Sequence, residues 1–107
     1  MDVYIYIMSE SNYINEISSL VHSLRLAEKD LNISHYNETE KKVFWTILVS
    51  ISKSGKCNIT DVIKNSFLSR STVYKTITKF DEDNIVSIHQ SGIDKREFNI
   101  TLSAIDN

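Results

Sequence analysis

"FLSRSTVYKTITKF", Phe67 to Phe80, decides how this chain is read. Its opening turn holds Ser69, Arg70, Ser71 and Thr72 and then runs into a helical pattern. Short hydroxyl side chains compete with backbone hydrogen bonds, so they favour caps over helix interiors. Ser69 therefore reads as an N-cap, and the helix behind it runs to about Asp83. On a 3.6-residue period Val73, Ile77 and Phe80 share the side that must face a core. The other side carries Ser71, Lys75 and Thr78, flanked by Tyr74 and Lys79, with Arg70 projecting from the first turn. Asn84 suits the left-handed position that ends a helix.

Working upstream, Phe67 and Leu68 form a turn, and Thr60 is expected to cap a short helix from Asp61 to about Ser66. "SKSGK" is a loop and "CNI" at most a very short strand. Asn37 with Glu40 three residues on forms a plausible cap pair, although a capping box ordinarily starts with Ser or Thr. The helix this implies covers about Glu38 to Ser52. Val43, Phe44, Ile47, Leu48 and Ile51 form one apolar face, and Trp45 and Val49 lie opposite. Two apolar sides predict a helix buried between two layers.

Further upstream, Ser9 or Ser11 is expected to cap a helix running to about Leu31. Ile14, Ile17, Val21, Leu24 and Leu31 follow a 3–4 spacing broken at Glu28, with Leu20 and Ala27 widening the stripe. This is an amphipathic helix with coiled-coil-like spacing. "VYIYIM" before it is either a short strand or extra helix. Downstream, "IVSIHQ" and "EFNITL" alternate as strands joined by "SGIDKR", with Phe98, Ile100 and Leu102 facing inward.

The chain of 107 residues contains no proline and two glycines, so helices can run uninterrupted. The order helix, helix, turn, helix, hairpin predicts a mainly α fold with a small β-hairpin (α+β). This is a winged helix-turn-helix with an extra N-terminal amphipathic helix. A single domain over 1–107 is expected, with a dimerisation element at 1–36 and a DNA-binding lobe at 37–107 whose wing covers about 85–102.

Charge divides along the chain. Residues 1–40 hold two bases against seven acids, net −5, and residues 41–107 hold ten bases against seven acids, net +3. An acidic front and a basic back suggest different partners for each. Hydroxyls, arginine and lysine on one solvent face of a helix suit insertion into a DNA major groove. There arginine can read guanine with two hydrogen bonds, and lysine neutralises phosphate. The helix N-terminus adds positive potential. Lys95 and Arg96 at the hairpin tip can reach a neighbouring backbone or minor groove, with Asp94 orienting Arg96. The plainer alternative is a cap followed by an ordinary solvated face and a charged turn.

At these residues the sequence resembles the MarR (multiple antibiotic resistance regulator) family, with the related SarA-like regulators close by. Leu68, Ser69, Thr72 and Val73 match the family's recognition-helix start, Leu-Ser-x-x-Thr-Val. Asp94, Arg96, Leu102 and Ser103 match its Asp-x-Arg wing and the strand ending after it. The match covers about Glu38 to Ser103, with Asn84 standing where glycine is usual. The resemblance implies a sequence-specific double-stranded DNA-binding transcriptional regulator. Its DNA contacts would come from Ser69, Arg70, Ser71, Thr72, Tyr74, Lys75, Thr78, Lys79, Lys95 and Arg96. Family members continue into long C-terminal dimer helices, whereas this sequence stops at Asn107. A homodimer would then be joined mainly through residues 1–31, with Ile14, Ile17, Val21 and Leu24 at the seam. The family's small-molecule effector pocket is left in doubt.

Other chemistry finds little support. His22, His35 and His89 are scattered without metal-ligand spacing, and no phosphate-cradling glycine loop occurs. No metal, cofactor or enzymatic activity is expected. Cys57 is the one cysteine, which excludes an internal disulfide. It reads as a half-buried strand or loop residue, with redox sensing as the alternative. "MDVYIYIM" is far shorter than the about 20 apolar residues a bilayer requires, and Asp2 stands where a signal peptide would be positive. A soluble, cytoplasmic protein is expected. The competing function is a winged-helix protein-interaction module that does not bind DNA.

Overall fold

A computed structural model describes residues 3–93, 97–103 and 105, with side chains from residue 10 onward. Its elements run α1 (Val3–Asp30), α2 (Glu38–Ser54), α3 (Ile59–Ser66), α4 (Arg70–Glu82), β1 (Val86–Gln90) and β2 (Phe98–Leu102). Mainly helical with one antiparallel hairpin, this is the expected fold class. The chain divides into two compact units, Met1–His35 and Tyr36–Asn107.

The first unit is α1, a helix of 28 residues. It begins at Val3, so "VYIYIM" is helix, and Ser9 and Ser11 are interior rather than caps. No proline or glycine in this stretch stops the helix from extending past them. Its end is closed by Asn32, which takes φ 61°. The Asn32 N–H bonds to the Lys29 carbonyl at 3.1 Å and the Ile33 N–H to the Glu28 carbonyl at 2.9 Å. That pair of bonds is a Schellman motif, which satisfies carbonyls the helix would otherwise leave open.

In the second unit each helix starts on a side-chain cap. The Asn37 side chain accepts from the Glu40 N–H at 2.8 Å, and Glu40 Oε1 accepts from the Asn37 N–H at 2.9 Å. Asparagine thus completes the box usually opened by a hydroxyl. Gly55, at φ 80°, closes α2. The cap of α3 is Asn58 and not Thr60. Its side chain accepts from the Asp61 N–H at 2.8 Å, while Asp61 accepts from the Asn58 N–H at 3.2 Å. Asn58 and Asp61 repeat the spacing of Asn37 and Glu40, and the reciprocal pair outcompetes a lone threonine.

Val43, Phe44 and Ile47 of α2, Val62 of α3, and Val73, Ile77 and Phe80 of α4 are all buried. Phe80 sits at the centre, with ring centroids 4.9 Å from Tyr36 and 6.3 Å from Phe44, both edge-on. Edge-to-face contacts of this kind add to the burial of the rings themselves. On the second apolar side expected for α2, Val49 is 45% exposed and Trp45 half-buried. Trp45 turns its ring edge-on to Phe44 at 5.2 Å.

The hairpin pairs Val86 with Leu102 through to Gln90 with Phe98. Ile100 and Leu102 are buried and Phe98 half-buried, as alternation requires. The other edge of β2 is also used. The Ile100 N–H donates to the Cys57 carbonyl at 2.7 Å, and Asn58 bridges Asn99. "CNI" is thus a strand of bridge length that ties α3 to the wing.

Candidate nucleic-acid interface

The turn before α4 is pinned from within. Ser66 is fully buried, and its Oγ accepts from the Leu68 N–H at 3.3 Å. Between them Phe67 caps α3 at φ 61°, a left-handed backbone. Ser69 then caps α4, accepting from the Thr72 N–H at 3.2 Å. The Ser69 hydroxyl also donates to Thr72 Oγ1 at 2.8 Å and lies 3.3 Å from Ser71 Oγ. These three hydroxyls form one small cluster at the helix start. Thr72 is half-buried and Thr76 buried, and Thr76 is held by its bond to the Thr72 carbonyl at 2.8 Å.

Arg70, Ser71, Tyr74, Lys75 and Thr78 are exposed, while Val73, Ile77 and Phe80 are buried. The division of faces is the one expected from periodicity. The Arg70 guanidinium lies 6.0 Å from the Tyr74 ring centroid, a stacking contact that steers it along the helix. The first turns of α2 and α3 carry acids, Glu38 and Glu40 in one and Asp61 in the other, whereas the first turn of α4 carries none. Its positive helix end and Arg70 therefore face outward without a local carboxylate.

Lys79 is placed differently from its neighbours. Its Nζ lies 2.8 Å from Glu40 Oε2 and 5.3 Å from the Tyr36 ring centroid. Tyr36 in turn donates its hydroxyl to Asp83. Burial, then the hydrogen bond to Asp83, pushes the Tyr36 phenol well above its ordinary value. Lys79 is therefore held in a cluster joining the start of α2 to the end of α4. Residues Asn37, Thr39 and Glu40 border one groove with Tyr74, Lys75 and Thr78. The sequence reading had no role for Thr39 at this face. The signal was available in the cap pair, which fixes where α2 begins.

Asp94, Lys95 and Arg96 lie outside the described residues. The hairpin loop beside them is bounded by the Ser91 N–H bond to the Glu97 carbonyl at 2.8 Å. In the first unit Ile14, Ile17, Val21 and Leu24 are all exposed, at 40–59%. Cys57 is fully buried rather than half-buried. Burial pushes its thiol above the ordinary value, which disfavours the reactive thiolate. Among the described residues no helix is long and apolar enough to cross a membrane, and no cluster of metal-binding side chains occurs.

Comparison with solved structures identifies the architecture. The regulator BpsR of Bordetella bronchiseptica, studied for regulation of its DNA binding by 6-hydroxynicotinic acid, superposes with a TM-score of 0.53 at 21% identity. That alignment covers 78% of this chain and 67% of BpsR. The fold is a MarR-like winged helix. AbfR in its overoxidized, DNA-bound form matches at TM-score 0.53 and 19% identity, over 91% of this chain and 70% of AbfR. Staphylococcus aureus MarR in complex with salicylate and kanamycin matches at TM-score 0.51 and 22% identity. The chain spans 62% of the length of that MarR, while the match uses 91% of this chain. No protein-family model and no curated protein matches the sequence. In the terms of a MarR-like winged helix, α3 and α4 are the helix-turn-helix and β1–β2 the wing.

Proposed function

We propose that this chain is a sequence-specific, double-stranded DNA-binding transcriptional regulator that acts as a homodimer in the cytoplasm. The observation that carries this reading is the outward face of α4. Arg70, Ser71, Tyr74, Lys75 and Thr78 stand exposed on a capped helix, in the position that a winged helix offers to a major groove. Arg70 is the base reader, and Lys75 contacts phosphate. Ser69 and Thr72, joined by the cap, hold the N-terminal end of α4 toward phosphate, while Ser71 and Thr78 approach close enough for hydroxyl contacts. Lys79 contributes less than Lys75, because Glu40 already neutralises it. Lys95 and Arg96 extend the footprint from the wing, with Asp94 orienting Arg96.

The dimer rests on α1. A stripe of Ile14, Ile17, Val21 and Leu24 at coiled-coil-like spacing is exposed, and contiguous apolar surface of this kind marks association. Two copies would present their recognition helices to successive major grooves about 34–36 Å apart. The acidic charge of the first 40 residues suits a position away from phosphates.

A protein-interaction module that does not bind DNA is the second reading, favoured by the net charge of −2. Titrating the intact chain against random-sequence duplex DNA at several salt concentrations separates the two. The DNA reading expects affinity that falls steeply and log-linearly with salt. Absence of duplex binding at low salt would leave the interaction module in its place.

A further inference from the structure

Phe67 is the anomaly of the turn. The residue is 89% exposed, and its backbone sits at φ 61°, ψ 19°. Left-handed backbone suits glycine and, less well, asparagine, and for a bulky residue it is an outlier. Among the described residues, the other two non-glycine positions with positive φ are Asn32 and Asn84, both asparagines. Phe67 therefore carries two unfavourable features at once, a strained backbone and a solvated aromatic ring. Glycine at this position would remove both.

Ser66 on one side of Phe67 is fully buried and bonded to the Leu68 N–H, and Leu68 on the other is half-buried. Both neighbours are held in the turn while Phe67 itself is exposed. Two residues later Ser69 caps α4, so Phe67 lies in the turn that leads directly into the helix carrying Arg70. Strain that persists in a well-packed segment is a sign of function.

We infer that Phe67 is a specificity-determining residue whose ring contacts a thymine C5-methyl at the edge of the half-site. This rests on the DNA-binding reading and deepens it. A phenyl ring has no hydrogen-bonding group, so it cannot read the donors and acceptors of base edges. The apolar feature of the major groove is the thymine methyl, and phenylalanine is among the side chains that recognise it. Arg70 reads a hydrogen-bonding pattern, and Phe67 adds a methyl to what is read.

The test uses duplexes that the intact chain selects from a random pool. Each thymine is replaced in turn by deoxyuridine, which removes only the methyl, and binding of wild-type and Phe67→Gly chains is measured. Wild-type should lose about fourfold in affinity at one thymine per half-site, the factor equivalent to one buried methyl. Phe67→Gly should bind the thymine and deoxyuridine duplexes equally. Phe67→Asn, which also tolerates the left-handed backbone, should behave the same way and guards against an effect peculiar to glycine. An unchanged thymine-to-deoxyuridine ratio in Phe67→Gly overturns the inference. So does an equal loss on both duplexes, which would mark a sugar–phosphate contact without specificity. If the wild-type chain selects no duplex at all, the DNA-binding reading itself fails, an outcome distinct from either of these.

Discussion

Lys79 and Glu40 are 39 positions apart in the sequence, yet Lys79 Nζ lies 2.8 Å from Glu40 Oε2. Glu40 uses its other oxygen to close the capping box of α2. One carboxylate thus fixes where α2 starts and ties that start to α4. Glu40→Ala should destabilise the fold by about 1 kcal/mol, the usual cost of removing a cap interaction. Lys79→Ala should cost less, because half-exposed ion pairs contribute little. Thermal unfolding of both variants checks this, and a larger loss for Lys79→Ala would reverse the assignment.

The same ion pair separates two lysines in DNA binding. Lys75→Ala should lower the slope of log affinity against log salt by about 0.9, as expected when one phosphate is no longer neutralised. Lys79→Ala should change it by less than half as much. Equal slopes for both variants would show that the Glu40 pair opens on the DNA.

Arg70 should behave as a reader. Arg70→Ala is expected to cost about 1–3 kcal/mol on a selected duplex and to relax preference at one base pair. Identical binding of wild-type and variant to selected and scrambled duplexes would remove Arg70 from that role.

For the wing, replacing Lys95 and Arg96 together with alanine should flatten the salt dependence by about 0.9 for each phosphate that the pair neutralises. Competition binding at two salt concentrations measures it. An unaltered slope would leave the pair as a charged turn.

If α1 forms the proposed seam, Ile17→Asp with Val21→Asp should convert a dimer to a monomer and weaken DNA binding. Sedimentation at micromolar concentration reads the mass directly. A monomer mass for the unmodified chain, unchanged on adding DNA, would rule out the symmetric architecture.

Tyr36 gives a pH prediction. Its phenol is buried and bonded to Asp83, so folding disfavours ionisation and the folded-state value is raised above 10.0. The unfolded chain loses this proton first. Stability from Tyr36 is therefore complete below pH 10.0 and falls as the pH climbs beyond it. Tyr36→Phe should cost about 1.5–3 kcal/mol near neutrality, the worth of a hydrogen bond to a charged acceptor. It should also remove this residue's share of the alkaline loss, which denaturant titrations at pH 8 and above 10 can detect.

Much of this architecture is local and so legible in the sequence. Caps at Asn37 and Ser69, the left-handed Asn84, and the inward set Val73, Ile77 and Phe80 depend on residues within one or two turns of each other. Cap geometry and helical period act over that range. The exposed face of α4 followed from the same period. Ser9 and Ser11 had cap-like chemistry, but the helix continued through them, because cap chemistry permits a start without imposing one. Other features were decided by tertiary structure. Thr60 lost to Asn58, whose advantage is a reciprocal bond to Asp61 and a bridge to Asn99 on a distant strand. Val49 carried the apolar signal of a buried residue and is exposed, because period reports which side a residue takes and not whether anything covers it. The Lys79–Glu40 pair and the outward ring of Phe67 depend on how α2, α3 and α4 pack. Each joins or fixes segments whose separation only the assembled core sets, which no short-range pattern encodes.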